Sequence, residues 1–225
     1  MSTAQLLVRV LNLAMFIPAI ILHEVSHGYV AYLLGDPTAK YSGRLTLNPI
    51  AHIDLWGTIL LPMLMLVVSG GQFALGYAKP VPINPRLMHR VTYKNGMLLT
   101  GIAGPLMNVC LAIVAGVAFR VADVLSAPAV VLYMLGFFTF ANLMLAFFNL
   151  IPIPPLDGSR VLQRFLPQGA WQLYHQLERY GFIIVLGILI LAPNLFYGYL
   201  SFTAFPLSEL LGGPHLLPAV FNFML

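Results

Sequence analysis

The sequence predicts an all-α polytopic membrane protein, with four or more transmembrane helices, a re-entrant segment and short β-strands beside its functional site. Three observations lead there. Of 225 residues, 60% are hydrophobic and only 8% charged, with a mean hydropathy of +0.88; soluble domains usually carry about 25% charged residues. Several apolar runs reach the roughly 20 residues that a helix needs to cross a bilayer. Two further apolar runs are broken by proline and glycine, which lipid tolerates only where protein or a cavity shelters the backbone.

Residues 6–34 form the first expected span, interrupted by Pro18 and by His23, Glu24 and His27. Its apolar stretch, 10–22, follows a lone Arg9 and runs straight into His23 without a small-residue cleavage site. It therefore reads as a retained helix rather than a signal peptide. In 41–49, Leu45 and Leu47 alternate with polar neighbours, which predicts a short strand. The stretch 57–77 holds Pro62 and then Ser69, Gly70 and Gly71, leaving too few helix-forming residues to cross, so it is expected to dip in and return. The run 78–85 contains Pro80, Pro82 and Pro85 and suits only an edge strand or a loop. Residues 97–121 and 129–153 are uninterrupted spans, and 180–200 is another with a kink expected at Pro193. Beyond Ser201, an apolar tail broken by Pro206, Gly212, Gly213, Pro214 and Pro218 suggests a re-entrant or interfacial segment. The length fits a single membrane-embedded domain over 1–225, with a core of about 6–165 and a helical region of about 175–225.

Composition also excludes function classes. The net charge is +4 from 11 basic residues that form no cluster on a polar surface, so no nucleic-acid partner is expected. The single cysteine, Cys110, rules out an intramolecular disulfide.

The chemistry concentrates in His23-Glu24-Val25-Ser26-His27, an H-E-x-x-H pattern. On a helix, residues four apart share a face, so both imidazoles can reach one metal ion. Glu24 lies about 100° round the helix from His23, where it can take a proton from a bound water. The competing explanation is a polar contact between helices. Ionisable groups in an apolar helix cost roughly 2.5–3.5 kcal/mol each on insertion scales, which argues against chance. Zinc needs a third protein ligand and an open position. Position 33 is Leu33, the glutamates other than Glu24 are Glu178 and Glu209, and the aspartates are Asp36, Asp54, Asp123 and Asp157. Asp36 and Asp54 suit turns or caps, and Asp123 ends a span. Asp157 follows the proline-broken end of a span, Asn149-Leu-Ile-Pro-Ile-Pro-Pro-Leu, and precedes Gly158. There it is either a group presented at membrane depth or a capping residue.

His23-Glu-Val-Ser-His27, followed much later by Asn149-x-x-Pro-x-Pro-x-x-Asp157-Gly158, resembles the site-2 protease family of intramembrane zinc metalloproteases. Gly101-x-x-Gly104-Pro105-x-x-Asn108 resembles a third element of that family, and the segments 44–54 and 78–85 resemble its bacterial branch. The resemblance implies one zinc ion held by His23, His27 and Asp157, with Glu24 as general base. It also implies membrane-spanning protein substrates cleaved at embedded segments. Many members of the family carry PDZ or CBS regulatory domains, and neither is expected here. A metal transporter using the same His and Asp would give Glu24 no task. An inactive protease-like binder of membrane proteins would not need an intact Glu24.

Asn149 and Asn108 are candidates for binding substrate or a developing oxyanion. Asn149 could equally cap a broken helix, and Asn108 could equally mark close helix packing. His52 is expected to be a structural loop residue; His89, His175 and His215 look incidental. Because His23, His27 and Asp157 must meet at one depth, the helices before them run in the same direction. An even number of crossings then separates the two motifs, which again makes 57–77 re-entrant. That topology puts Lys40, Arg44, Lys79, Arg86, Arg90, Lys94, Arg160, Arg164 and Arg179 on one face and Arg9 and Arg120 on the other. Basic residues accumulate on the cytoplasmic side. The expectation is a multi-pass protein of the bacterial inner membrane with its site toward the cytoplasm.

Overall fold

The computed structural model describes residues 3–68, 76–167 and 170–224. Three helices carry the architecture: α1 (Thr3–Leu33), α4 (Tyr93–Val124) and α5 (Ala129–Asn149). Each is long and apolar enough to cross a bilayer. Pro18 and Pro105 lie inside α1 and α4 without ending them. α4 presents a face of small residues, Gly101, Gly104, Ala112, Ala115 and Gly116, all buried. In lipid, where apolar surface gains nothing by leaving the solvent, such a face lets backbones approach and pack. His27, His23 and Ala19 of α1 meet Thr100 and then Asn108 of α4, so the two helices are antiparallel. Asn12 near the start of α1 receives a hydrogen bond from Tyr133 near the start of α5, so α5 runs parallel to α1.

Short elements join these helices. A single turn, α2 (Thr38–Tyr41), leads to a 3₁₀ turn (Pro49–His52). A π-helical turn (Leu55–Leu60) then runs into α3 (Leu61–Val68). At about 1.5 Å per residue this piece extends roughly 20 Å, short of a 30 Å hydrocarbon core. Tyr77, beyond this piece, lies against its beginning. Tyr77 N–H donates to the Gly57 carbonyl at 3.0 Å, and Thr58 Oγ1 donates to the Tyr77 carbonyl at 3.0 Å. The expected break at Ser69, Gly70 and Gly71 lies outside the described residues.

After α5 come α6 (Gly158–Phe165), α7 (Trp171–Leu191), α8 (Pro193–Phe202), α9 (Ala204–Gly212) and α10 (Leu216–Met224). Ala112, Leu143, Leu200 and Ala204 form one buried cluster, which seats α8 and α9 on α4 and α5. Phe119, Tyr133, Phe140, Leu216 and Val220 form another, with α10, at the end of the bundle away from His23.

The structure sharpens two expectations and corrects a third. The chain is bent by 90° between Arg179–Leu191 and Pro193–Gly212. Proline cannot continue the preceding helix's hydrogen bonding, so the kink expected at Pro193 is a full break between α7 and α8. Among the described residues three helices can cross, or four if the bent pair counts as one span, so the expected four or more meets the structure only at its lower limit. The strand expected at 44–48 is absent among the described residues, and at 78–85, where an edge strand or a loop is expected, the chain forms the loop. In the first, local bonds use the groups a ladder would need: Asn48 N–H donates to Thr46 Oγ1 at 3.2 Å, and the Thr46 carbonyl lies 2.9 Å from His52 Nε2. In the second, three prolines remove donors, and the amides of Val81 and Asn84 turn to carboxylates instead.

Candidate metal centre

His23 and His27 lie one turn apart on α1, buried, with their rings edge to face at 4.7 Å between centroids. Gly104 of α4 is the surface they rest on. A Cβ there would stand 2.6 Å from His23 Cε1 and would also collide with His27 Nε2. Gly101, one turn earlier, admits the segment that follows α5: a Cβ at 101 would lie 2.9 Å from Arg160 Cβ. That segment, between Asn149 and Gly158, turns sharply. Gly158 packs so tightly on the Leu150 carbonyl that no side chain fits. The turn brings Asp157 Oδ2 to 3.1 Å from His23 Nε2 and 3.2 Å from His27 Nε2, with the two Nε2 atoms 3.0 Å apart. Asp157 Oδ1 points the other way, 3.6 Å from Arg160 Nη1.

Hydrogen bonds from behind set the imidazole tautomers. His27 Nδ1 lies 2.6 Å from the Thr100 carbonyl, which can only accept, so Nδ1 carries the proton. Asn108 Nδ2 donates to the Ala19 carbonyl at 3.2 Å and to Asn142 Oδ1 at 2.8 Å. Its Oδ1 is thereby turned to His23 Nδ1 at 2.6 Å, and that nitrogen donates. In the neutral rings both Nε2 atoms then hold lone pairs, and these converge with a carboxylate oxygen. A cation stabilises that arrangement. With ligand bonds of about 2.0–2.1 Å, a tetrahedral zinc site spaces its ligand atoms by about 3.3 Å, and the observed 3.0, 3.1 and 3.2 Å are close to it. The donor set fits zinc, and the backing bonds are of the kind that orient ligating imidazoles.

Glu24 is half-buried beside this cluster, and its Oε2 accepts from Val81 N–H at 3.0 Å. Gly28, one turn on, is pressed by Val81 and Leu45, whose side chains would lie 2.7 and 2.8 Å from a Cβ there. Other predicted residues lie elsewhere. Asn149 bonds back to the Leu145 carbonyl at 2.9 Å. Asp36 accepts from Thr38 and Asn84 amides, Asp54 from Gly57, and Asp123 pairs with His215 at 2.8 Å. His52 is buried and His89 contacts its own turn at the Leu87 carbonyl. The side chains of His175 and Glu178 lie outside the described residues.

Sequence reading missed Asn142, Thr100 and Val81. Asn142 had a signal, as an amide in the middle of an apolar run. Thr100 and Val81 act through backbone groups that their side chains do not announce.

Comparison with known proteins adds independent findings. Residues 118–192 match the family described as peptidase family M50. YwhC of Bacillus subtilis, whose name marks it as a candidate zinc metalloprotease, is 39% identical over 178 residues, 76% of each chain. Rip2 of Mycobacterium tuberculosis, similarly named, is 30% identical over 93% of this chain and 77% of its own. MJ0611 of Methanocaldococcus jannaschii, also so named, is 32% identical over 71% of this chain and 72% of its own. No solved structure matches the chain.

Proposed function

The chain belongs to peptidase family M50, the site-2 type of intramembrane zinc metalloprotease, and we propose that it hydrolyses peptide bonds within or near membrane-spanning segments of other proteins. The observation that carries this reading is the convergence of His23, His27 and Asp157 inside a membrane bundle, with Glu24 on the adjoining helical position. Zinc held by the three would acidify a water and polarise the scissile carbonyl. Glu24, held at Oε2 by Val81, takes the proton and returns it to the leaving amine. Asn108 serves the centre through His23. Asn149, beside the segment that carries Asp157, stays a candidate to bond an unwound substrate strand. Unwinding is needed because a membrane helix has its amides bonded internally.

The same reading makes 1–225 one membrane-embedded domain in the bacterial inner membrane, with segment 57–77 re-entrant and the site toward the cytoplasm. The Gly57–Tyr77 hydrogen bond supports it, since both ends of that segment lie together. The expected partners are a membrane-spanning substrate and the bilayer.

The test is cleavage of a model transmembrane helix by the purified protein in lipid vesicles, with bound zinc measured in parallel. Glu24→Gln should keep about one zinc per chain, as a non-ligand, and lose turnover. Asp157→Asn should lose zinc, whereas Asp36→Asn and Asp54→Asn should keep it. Substantial turnover in Glu24→Gln would falsify the assignment of the base.

A further inference from the structure

Arg44 is 7% exposed, and among the described residues no carboxylate pairs with it. A buried guanidinium without a counter-charge is costly, so its partners matter. Its Nη2 donates to the Lys79 carbonyl and reaches the Pro80 carbonyl at 3.4 Å. The Pro80 carbonyl and the Val81 N–H belong to one trans peptide plane and point in opposite directions. On the far side of that plane, the Val81 N–H donates to Glu24 Oε2 at 3.0 Å. The backbone of Lys79–Val81 is therefore held between a buried cation, bonded chiefly at the Lys79 carbonyl, and the carboxylate of Glu24.

The surroundings make this contact specific. Pro80 and Pro82 have no N–H, so Val81 supplies the only amide donor of the triplet. Lys79 N–H donates to the His52 carbonyl at 2.9 Å on one side, and Asn84 N–H donates to Asp36 Oδ2 at 2.6 Å on the other. The Val81 side chain is buried against Gly28, one turn along α1 from Glu24.

We propose that Arg44 and the Pro80–Val81 peptide are positioning groups for Glu24. The guanidinium fixes and polarises the peptide, and the peptide N–H holds one carboxylate oxygen so that the other stays aimed at the metal centre. This rests on the reading of Glu24 as general base. A fixed carboxylate matters because misplacement of a reacting group by about 1 Å can cost a hundredfold in rate.

The test replaces Val81 by its α-hydroxy acid analogue, which turns the amide into an ester and removes the N–H while keeping the side chain. Arg44→Gln and Arg44→Lys are made alongside. All are assayed in vesicles with a model transmembrane helix, with kcat, KM and zinc content measured. The ester and Arg44→Gln should each lower kcat by about tenfold or more, with KM and zinc content unchanged. Arg44→Lys should recover part of the loss, and the ester combined with Arg44→Gln should be no slower than the worse of the two. Unchanged kcat in the ester overturns the proposal, as does a rise in KM alone, which would make the segment a docking element. Glu24→Gln separates the two levels. If it loses turnover while the ester does not, only the positioning role falls; if it keeps turnover, the base assignment falls and takes this proposal with it.

Discussion

Asn142 accepts the side-chain amide of Asn108 at 2.8 Å, and this bond between α5 and α4 decides which atom Asn108 turns toward His23. Asn142 is itself held by donating to the Phe138 carbonyl at 2.8 Å, and both asparagines are fully buried. A chain of three hydrogen bonds thus runs from the backbone of α5 to the Nδ1 atom of a candidate ligand.

Replacing Asn142 by Leu keeps the branched shape but removes the acceptor. Asn108 then keeps only the 3.2 Å bond to the Ala19 carbonyl to fix its orientation, and a flip that faces His23 Nδ1 with its NH₂ group would drive the imidazole proton onto Nε2. Zinc affinity of Asn142→Leu, measured by competition with a chelator, should fall about 10–100-fold, the usual cost of losing such a backing group. An affinity equal to that of the parent would mean that the asparagine pair only packs helices.

Gly104 is required by the imidazoles that lie on it. Gly104→Ala should strip or strongly weaken zinc, because the new methyl meets both rings on a rigid helix. Gly198→Ala is the control, since nothing lies within 4 Å of that position; there the change should leave zinc content unaltered. Elemental analysis of the two purified variants decides, and equal zinc in both would refute the close contact.

The contact between Gly57 and Tyr77 bears on topology. Single cysteines at Lys40 and Arg90, in a Cys110→Ala background, should both be shielded from impermeant thiol reagents in intact cells. If one is labelled and the other is not, segment 57–77 crosses the membrane and the site is differently sided.

The candidate site was legible in the sequence wherever a residue type is expensive in lipid. His23, Glu24, His27 and Asp157 stand out because an ionisable group in an apolar chain needs a reason, and the helical period puts His23 and His27 on one face. The long helices were legible for the same cause, since apolar length has one use in a bilayer. The strand at 44–48 was wrongly expected from alternation, whereas at 78–85 the three prolines left an edge strand or a loop, and a loop is what forms. Alternation records which side chains are apolar, but a strand also needs a partner with free backbone groups, and local side chains had already taken them.

By itself, then, the sequence determined the chemistry available and the position of the three long apolar helices, because both follow from composition and period along one chain. Only the tertiary structure decided that Asp157 meets the two histidines at 3.1 and 3.2 Å, that Asn142 and Thr100 back them, and that Arg44 reaches Glu24 through a peptide. Those relationships join residues far apart in sequence, several of them through backbone atoms that every residue shares. They exist only once small residues such as Gly101 and Gly104 let α4 come close enough for its neighbours to touch.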